Sequence, residues 1–584
     1  MKIILLDNFP KDLNKPFAGY RYDEILAHMD GNINIREILA EKSDDWLNDI
    51  NKSFADLSRR FQKRTRWWWV TGASRIDLRP WGQEDVFKPL FFARAVLYWL
   101  SKHPGTDEIF LVCAPKEVEI YIKEFKADIV IENRQSELIA IPFIITLFEH
   151  LMIGILKSFK NAGHIIWNHL FCKRGVLKSK LLVLYELISD MTLVEGHKYF
   201  YDGLFEEVGA EAEGVVFGCI DNPSSPVNKL RSQLNEEIFF LLDYITFIGF
   251  IKSIGINIYV LVLLFWDCLW RKEYTFGNFV TSRFWPNYLL KELSLVPFLN
   301  NICCYYALNV VLDGHKYERL VYTYEEKASE RAILFSSREK NIKTTGYIPH
   351  PQHRLALSMR DAYEPYAPKP DAYAVCGDQY VDYLRTWCKK ESAAISVWGS
   401  KKSFREDFQA QKYDRTNLKV LLTLSHPNEL GVFCSWLERD KKLTQGVTYY
   451  LRFYKEAGFK RFQEQLNVIT KKFDCVKEIE GSLKENFEFC DLTVFCATSA
   501  GLLGVNGGKI AIHLCLDDFF AINPCFDDTE FMLSCRTAED FSNRLDALCS
   551  LDDSAISEIY RNELDFISTI FHPIQKQSIA GVET

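Results

Sequence analysis

No C-x-x-C pair occurs among the 16 cysteines, and the adjacent Cys303-Cys304 does not fit a zinc-ligand pattern either. Cysteines such as Cys113, Cys219 and Cys496 sit inside apolar runs, where a cysteine serves as a small core residue. Positive charge is not in excess: the formal net charge is -8, which argues against a nucleic-acid partner held on a broad basic face. No internal repeat or low-complexity tract stands out. The opening Met1-Lys2-Ile3-Ile4-Leu5-Leu6 is only a strand's worth of apolar sequence. It is not read as a secretory signal, and a reducing cytoplasmic compartment is expected.

What remains is a globular chain. Its 584 residues exceed one ordinary core, and its composition is 48% hydrophobic and 25% charged. Short β-rich runs recur at KIILLD, EIFLVCA (108–114), ADIVIE (127–132) and GVVFGCI (214–220), and a helix-patterned PKEVEIYIKEF joins the second to the third. That is a βαβ signal and implies a parallel sheet. Residues 136–205 and 226–312 read as mainly helical and apolar. The proline-rich YEPYAPKPD (363–371) reads as an extended linker, after which strands and helices alternate again to about residue 514. The expectation is an α/β chain of two Rossmann-like domains facing a cleft. An N-terminal domain would occupy 1–365, with a large helical insertion at about 136–312. A C-terminal domain would occupy 366–584.

Two stretches, 139–159 and 243–270, are long and apolar, but each contains charges. Lys157, Lys160, Lys173, Arg174, Lys178, Lys180, Arg271 and Lys272 cluster around them. Charges within the runs disfavour a span, and basic flanks suit an anionic membrane surface. Peripheral contact with the inner face of the cytoplasmic membrane is expected.

Polar groups gather in four places. In DLTVFCATSAGLLGVNGG a strand ends at Thr498-Ser499 before Gly501 and Gly504. Hydroxyls and free amides at such a turn suit a phosphate, although the stretch matches neither the P-loop nor the G-x-G-x-x-G fingerprint. In LLTLSHPNEL a strand ends at Ser425-His426, with Pro427 and Glu429 suited to a first helical turn. The segment 321–354 carries Glu325, Glu330, Arg331, His350 and His353. The segment 64–85 carries Trp67-Trp68-Trp69, then Arg75, Asp77 and Arg79. Three consecutive tryptophans are not expected to share one core, and the arginines suit a carboxylate or phosphate.

The order of these pieces carries a resemblance. Tyr324-Glu325, Glu330-Arg331-Ala332, Gly346-Tyr347, His350, Pro370-Asp371, the LLTLS strand and the strand-end Thr498-Ser499 follow one another. This order resembles bacterial surface-polysaccharide glycosyltransferases of the GT-B kind, especially those that transfer sialic or 3-deoxy-octulosonic acid from CMP. Arg452-Phe453-Tyr454 stands where that family has a basic residue followed by His-Pro.

The resemblance implies a CMP-linked donor, a glycan or lipid-linked glycan acceptor, and no cofactor. Donor-binding candidates are Ser425, His426, Arg452, Thr498, Ser499 and Gly501. Glu325 is the first candidate base and Asp77 the second, because neighbouring arginines lower the basicity of Asp77. Arg75, Glu330, Arg331, His350 and His353 are further cleft candidates. No aspartate-rich motif is present, so transfer without a metal is expected.

Overall fold

The structure is a computed structural model. It describes residues 2–5, 33–71, 84–104, 108–112, 116–126, 130–133, 181–187, 212–218, 239–270, 274–276, 279–281, 297–349, 367–406, 413–424, 427–453, 459–515 and 533–575, with isolated positions between them. Among these residues there are three parallel sheets and one short antiparallel pair.

The first sheet has β1 (Lys2–Leu5), β2 (Ile33–Asn34), β3 (Glu108–Val112) and β4 (Val130–Asn133), in the order β2-β1-β3-β4. The βαβ unit expected at 108–132 is present, with the helix Lys116–Phe125 as its crossover. Long helices at Ile35–Gln62 and Glu84–Lys102 complete a separate apolar core around Phe54, Trp68 and Phe91.

The second sheet is built from β5 (Leu181–Leu187), β6 (Ala212–Gly218), β7 (Phe239–Phe240), then β10 (Arg319–Thr323), β11 (Lys343–Ile348), β12 (Ala372–Val375) and β13 (Ala394–Val397); β8 (Tyr274–Phe276) and β9 (Phe279–Thr281) form the antiparallel pair. Its order is β13-β12-β11-β10-β5-β6-β7. The chain starts at β5, winds outward one way, then returns to β10 and winds outward the other way. The order therefore reverses between β5 and β10.

The third sheet repeats this plan. It contains β14 (Leu418–Leu424), β15 (Val447–Phe453), β16 (Val476–Glu478), β17 (Leu492–Phe495), β18 (Ala511–Leu514) and β19 (Leu533–Cys535), in the order β16-β15-β14-β17-β18-β19. Here the reversal lies between β14 and β17. Inner strands such as β17 and β18 are buried at every position, whereas the edge strand β16 is exposed at two of its three. That is the pattern of parallel sheets covered by helices on both faces.

Two boundaries differ from expectation. The 363–371 stretch is not the link between domains: β12 and β13, which follow it, pair with β11 in the second sheet. The Asp371 carboxylate accepts from the Thr344 amide (2.7 Å) and hydroxyl (2.9 Å), so the end of that stretch is tied to β11. The chain crosses to the third sheet between β13 and β14. Nor is 136–312 a helical insertion. LLVLYEL forms β5, at the centre of the second sheet, and β6 and β7 also fall inside that range. The helices Phe247–Trp270 and Pro297–Gly314 are present as expected, and they pack on each other.

The three tryptophans also depart from expectation, since all are buried. They lie in the 3-10 turn Arg66–Val70, capped by the Thr65 hydroxyl. Successive residues of such a turn point about 120° apart; Trp67 to Val70 are all buried, and Arg66 is exposed. Trp68 stacks on Phe61 (4.6 Å), Trp67 meets Tyr305 edge-on (4.9 Å), and Trp69 faces Arg331 (5.4 Å). The turn thus pins the first unit to the helices beside the second sheet.

The last long helix, Asp553–Ile570, returns from the third sheet to the second. The backbone after it bonds to the carboxyl ends of β12 and β13: His572 N–H donates to Cys376 O (2.8 Å), Ser400 N–H to His572 O (2.8 Å) and Gln575 N–H to Trp398 O (2.8 Å). At Gly377 a Cβ would lie 2.3 Å from Thr569 O, so the helix end rests directly on that backbone.

Candidate functional site

In an open parallel sheet, ligands bind outside the carboxyl ends of strands where the winding reverses. At such a point the two neighbouring connections leave in opposite directions and open a crevice. The second sheet has this point at β5 and β10, the third at β14 and β17.

Residues 324–331 leave β10 at the first crevice. The Tyr324 amide donates to Tyr347 O (2.8 Å), which extends the β10–β11 pairing by one residue. The chain then turns at Glu326, whose φ of 60 is left-handed, an uncommon state for a residue with a side chain. The turn is over-determined by contacts. The Glu326 carboxylate pairs with the Arg331 guanidinium at 3.2 Å, and both are nearly fully buried. The Tyr324 hydroxyl donates to the other Glu326 oxygen. Arg331 also donates to Trp69 O (3.4 Å). The Glu330 carboxylate accepts from the Glu325 amide (2.9 Å), closing the start of the helix Ala328–Glu339.

Glu325 lies within this cage. Its carboxylate pairs with Lys327 at 2.8 Å, and Lys327 is the more exposed partner. Burial, with the Glu326 carboxylate next in influence, holds the Tyr324 phenol well above its usual pKa, so it remains a protonated donor. Burial pushes the Tyr373 phenol up to about 12, against the pull of Lys390, whose ammonium lies 5.1 Å from the Tyr373 ring. Gly346 is needed here, because a Cβ would come within 2.9 Å of Tyr324 Cβ.

At the second crevice Thr423 of β14 pairs with Phe495 of β17, so the turns after both strands begin at one level. After β17, residues Ala497 to Ala500 are half-exposed. The Thr498 hydroxyl accepts from the Ala500 amide (3.2 Å). Ser499 precedes the short helix Ala500–Asn506 and makes no capping bond with its side chain. Glu429, in the first turn of the helix Pro427–Arg439, is close enough to add to the raised pKa of the Cys496 thiol, which burial chiefly causes.

The structure brings some expected residues together and not others. Glu325, Glu330 and Arg331 share the first crevice; Thr498, Ser499 and Gly501 share the second. Arg452 is committed elsewhere: one of its nitrogens donates to Gly481 O (2.6 Å) and to Asn486 Oδ1 (2.6 Å), tying β15 to the loop before the helix Leu483–Phe489. Gly501 has a packing role. A Cβ there would sit 2.0 Å from the Phe495 ring, and one at Gly504 would sit 2.6 Å from Thr493 Oγ1. Arg75, Asp77, His350, His353, Ser425 and His426 lie outside the described residues.

Sequence reasoning missed Glu326, Lys327 and Lys390. The five-residue step from Glu326 to Arg331 was a visible signal, equal to the Glu325–Glu330 step, but a left-handed glutamate leaves no mark in sequence. Among the described residues, no group of three or more His, Cys, Asp or Glu side chains is arranged to hold a metal ion.

No protein-family model matches the sequence, and no curated protein matches it. Among solved structures, the chain is similar to a complex of S. aureus TarM with fondaparinux, α-GlcNAc-glycerol and UDP (11% identity, TM-score 0.39), over 69% of this chain and 98% of that one. It is similar to the glycosyltransferase SnogD from Streptomyces nogalater (10%, 0.38), over 70% and 99%. It is similar to a glycosyltransferase from Rickettsia africae (10%, 0.41), over 70% and 97%. Overlaps of this size do not decide what the site does.

Proposed function

We propose that the chain is a glycosyltransferase of the GT-B kind, which transfers a sugar from a nucleotide donor to a glycan or lipid-linked glycan in bacterial surface-polysaccharide synthesis. The observation that carries this reading is the pair of reversal points. Two parallel sheets of the same winding, joined by a returning C-terminal helix, each bring polar side chains to the carboxyl ends of their central strands. Two crevices suit two substrates, and the order of motifs along the chain points to sugar transfer.

The crevice of the third sheet takes the donor. Thr498 and Ser499 are accessible at its floor, and hydroxyls and amides in a fixed array suit a diphosphate or monophosphate. The crevice of the second sheet takes the acceptor, with Glu325 as the base that removes the acceptor proton. Lys327 holds the Glu325 carboxylate at 2.8 Å and so fixes its position in the crevice. Glu326, Glu330 and Arg331 are positioning residues, which fix the turn that presents Glu325. Metal-independent transfer remains part of the proposal.

A CMP-linked ulosonic acid is the donor that the motif order implies. The engagement of Arg452 with Gly481 and Asn486 favours a second reading, a UDP-, GDP- or dTDP-sugar, because a nitrogen of the basic residue tied to the CMP pattern is already bonded within the protein. The test is a titration of the protein with CMP, UDP, GDP and dTDP, paired with a screen for nucleotide release from the corresponding sugars. The expected result is binding of one nucleotide, weakened by about 1–3 kcal/mol in the Thr498→Ala/Ser499→Ala variant. Equal affinity in parent and variant would place the donor elsewhere. Binding without release in any acceptor mixture would favour a non-catalytic assembly protein.

A further inference from the structure

We propose that one face of the helix Phe247–Trp270 is a membrane-docking surface, which lies in the plane of an anionic lipid leaflet. The helix is the one described element long and apolar enough to cross a membrane, and only 28% of its most apolar window is buried. Its exposed positions form a stripe. Phe247, Ile248, Ile251, Ile258, Val262 and Trp266 are 51% to 67% exposed and recur at three- and four-residue steps. Gly255 falls on the same line, and a Cβ there would meet nothing within 4 Å.

A soluble surface helix has the opposite polarity, with its apolar stripe turned inward. Here the inward face holds Phe250, Val260 and Leu264, but also Ser253 and Asp267, all buried. The Ser253 hydroxyl bonds back to Gly249 O (2.8 Å).

The geometry excludes a span. A helix that crosses a bilayer meets lipid around most of its circumference or lies beside other apolar helices. This one is held along its length by protein: Phe250 joins the core of the second sheet, and Val260 and Leu264 join that of the first unit. Inserting it upright would carry parallel strands and their polar ends into hydrocarbon. Lying flat, it places only the stripe among acyl chains, over about 28 Å from Phe247 to Trp266 at 1.5 Å per residue.

Charge selects lipid over a second copy of the chain. No acidic residue lies on the exposed stripe, its one charge is Lys252, and Arg271-Lys272 follow the helix in sequence. A second copy paired stripe to stripe would set Lys252 against the same uncompensated cation. Anionic headgroups match it directly. Tyr259 and Trp266 add amphipathic rings of the kind that settle at headgroup depth.

This placement rests in part on the acceptor reading above. The docked helix packs on Pro297–Gly314, and the chain runs from there into β10, whose carboxyl end bears Glu325. A membrane-held acceptor would thus approach the crevice of the second sheet.

The test is flotation of the full-length protein with vesicles of phosphatidylcholine, with and without phosphatidylglycerol, at low and high salt. The parent is expected to float with the anionic vesicles and to be released by salt. The Ile258→Glu/Val262→Glu variant alters two exposed positions and should keep the parent Tm while its bound fraction falls at least about tenfold. Nucleotide binding should be unchanged in that variant, so loss of docking and loss of the donor site are separate readouts. A parent that stays with the soluble fraction, or a variant that floats like the parent, would overturn the proposal. So would a parent dimer, lipid-independent, that the variant converts to a monomer. Retention of the parent on vesicles through an alkaline carbonate wash would overturn the in-plane placement.

Discussion

The Arg331 guanidinium and the Glu326 carboxylate, 3.2 Å apart and both nearly fully buried, close a left-handed turn at the end of β10. Burying two charges is costly unless geometry and additional hydrogen bonds compensate, and here Tyr324 and Trp69 O supply them. The expected consequence is asymmetric. Arg331→Ala, which leaves a lone buried carboxylate, should destabilise the chain by about 3–5 kcal/mol in urea unfolding. Adding Glu326→Gln to Arg331→Met should recover part of that loss. A cost below about 1 kcal/mol for Arg331→Ala would show that the turn is held by something else.

Gly501 separates packing from binding. Its missing side chain lets the helix Ala500–Asn506 lie against Phe495, so Gly501→Ala should cost about 1–3 kcal/mol through overpacking. Thr498→Ala/Ser499→Ala alters half-exposed side chains and should stay within about 0.5 kcal/mol of the parent. Thermal unfolding of the two variants checks this contrast. Equal destabilisation would mean that the hydroxyls are structural.

Much of the third sheet was legible in sequence because its inner strands are short apolar runs separated by turn residues, as at LKVLLTL and LTVF. The second sheet was read less well, for two physical reasons. LLVLYEL is fully apolar up to Tyr185, and periodicity alone does not distinguish a buried strand from buried helix sequence. The polar, proline-rich 363–371 looks like a linker locally, and long-range pairings such as the Asp371–Thr344 bonds, which join residues 27 apart, show that its end stays with the sheet. At the site, residue types were readable but commitments were not. Arg452 and Gly501 are conspicuous in sequence, but their contacts with Asn486 and Phe495 are not.

Glu325 is the point at which the catalytic reading can fail. Glu325→Gln keeps the shape and removes the base, so turnover should drop about 10²–10⁴-fold with nucleotide affinity unchanged. Lys327→Met should lower turnover less, by loosening the carboxylate that it holds at 2.8 Å. Steady-state rates with saturating donor check both. Near-parental turnover in Glu325→Gln would remove it from the mechanism, and inactivity of Asp77→Asn would then move the base to Asp77.

His513 makes stability depend on pH. It lies on β18 with its ring 5.1 Å from that of Phe495 and is almost completely buried, and burial lowers its pKa from 6.5 to about 4. The folded chain therefore keeps this imidazole neutral through a range in which the unfolded chain protonates it. The sign follows from linkage: the unfolded state binds more protons below pH 6.5, so stability falls as pH drops from 6.5 towards 4 and is fully present above that window. At about 1.36 kcal/mol for each tenfold change in proton affinity, the loss is on the order of 3 kcal/mol. Other groups titrate over the same range, so the informative quantity is a difference between variants. Urea midpoints of the parent and of His513→Gln at pH 7 and pH 4.5 supply it. The variant should be less stable at pH 7, because Gln fits the apolar pocket beside Phe495 less well, yet it should lose less on acidification. Parallel losses in the two proteins would mean that His513 gains access to water or a partner when it charges, and that its burial does not drive the acid instability.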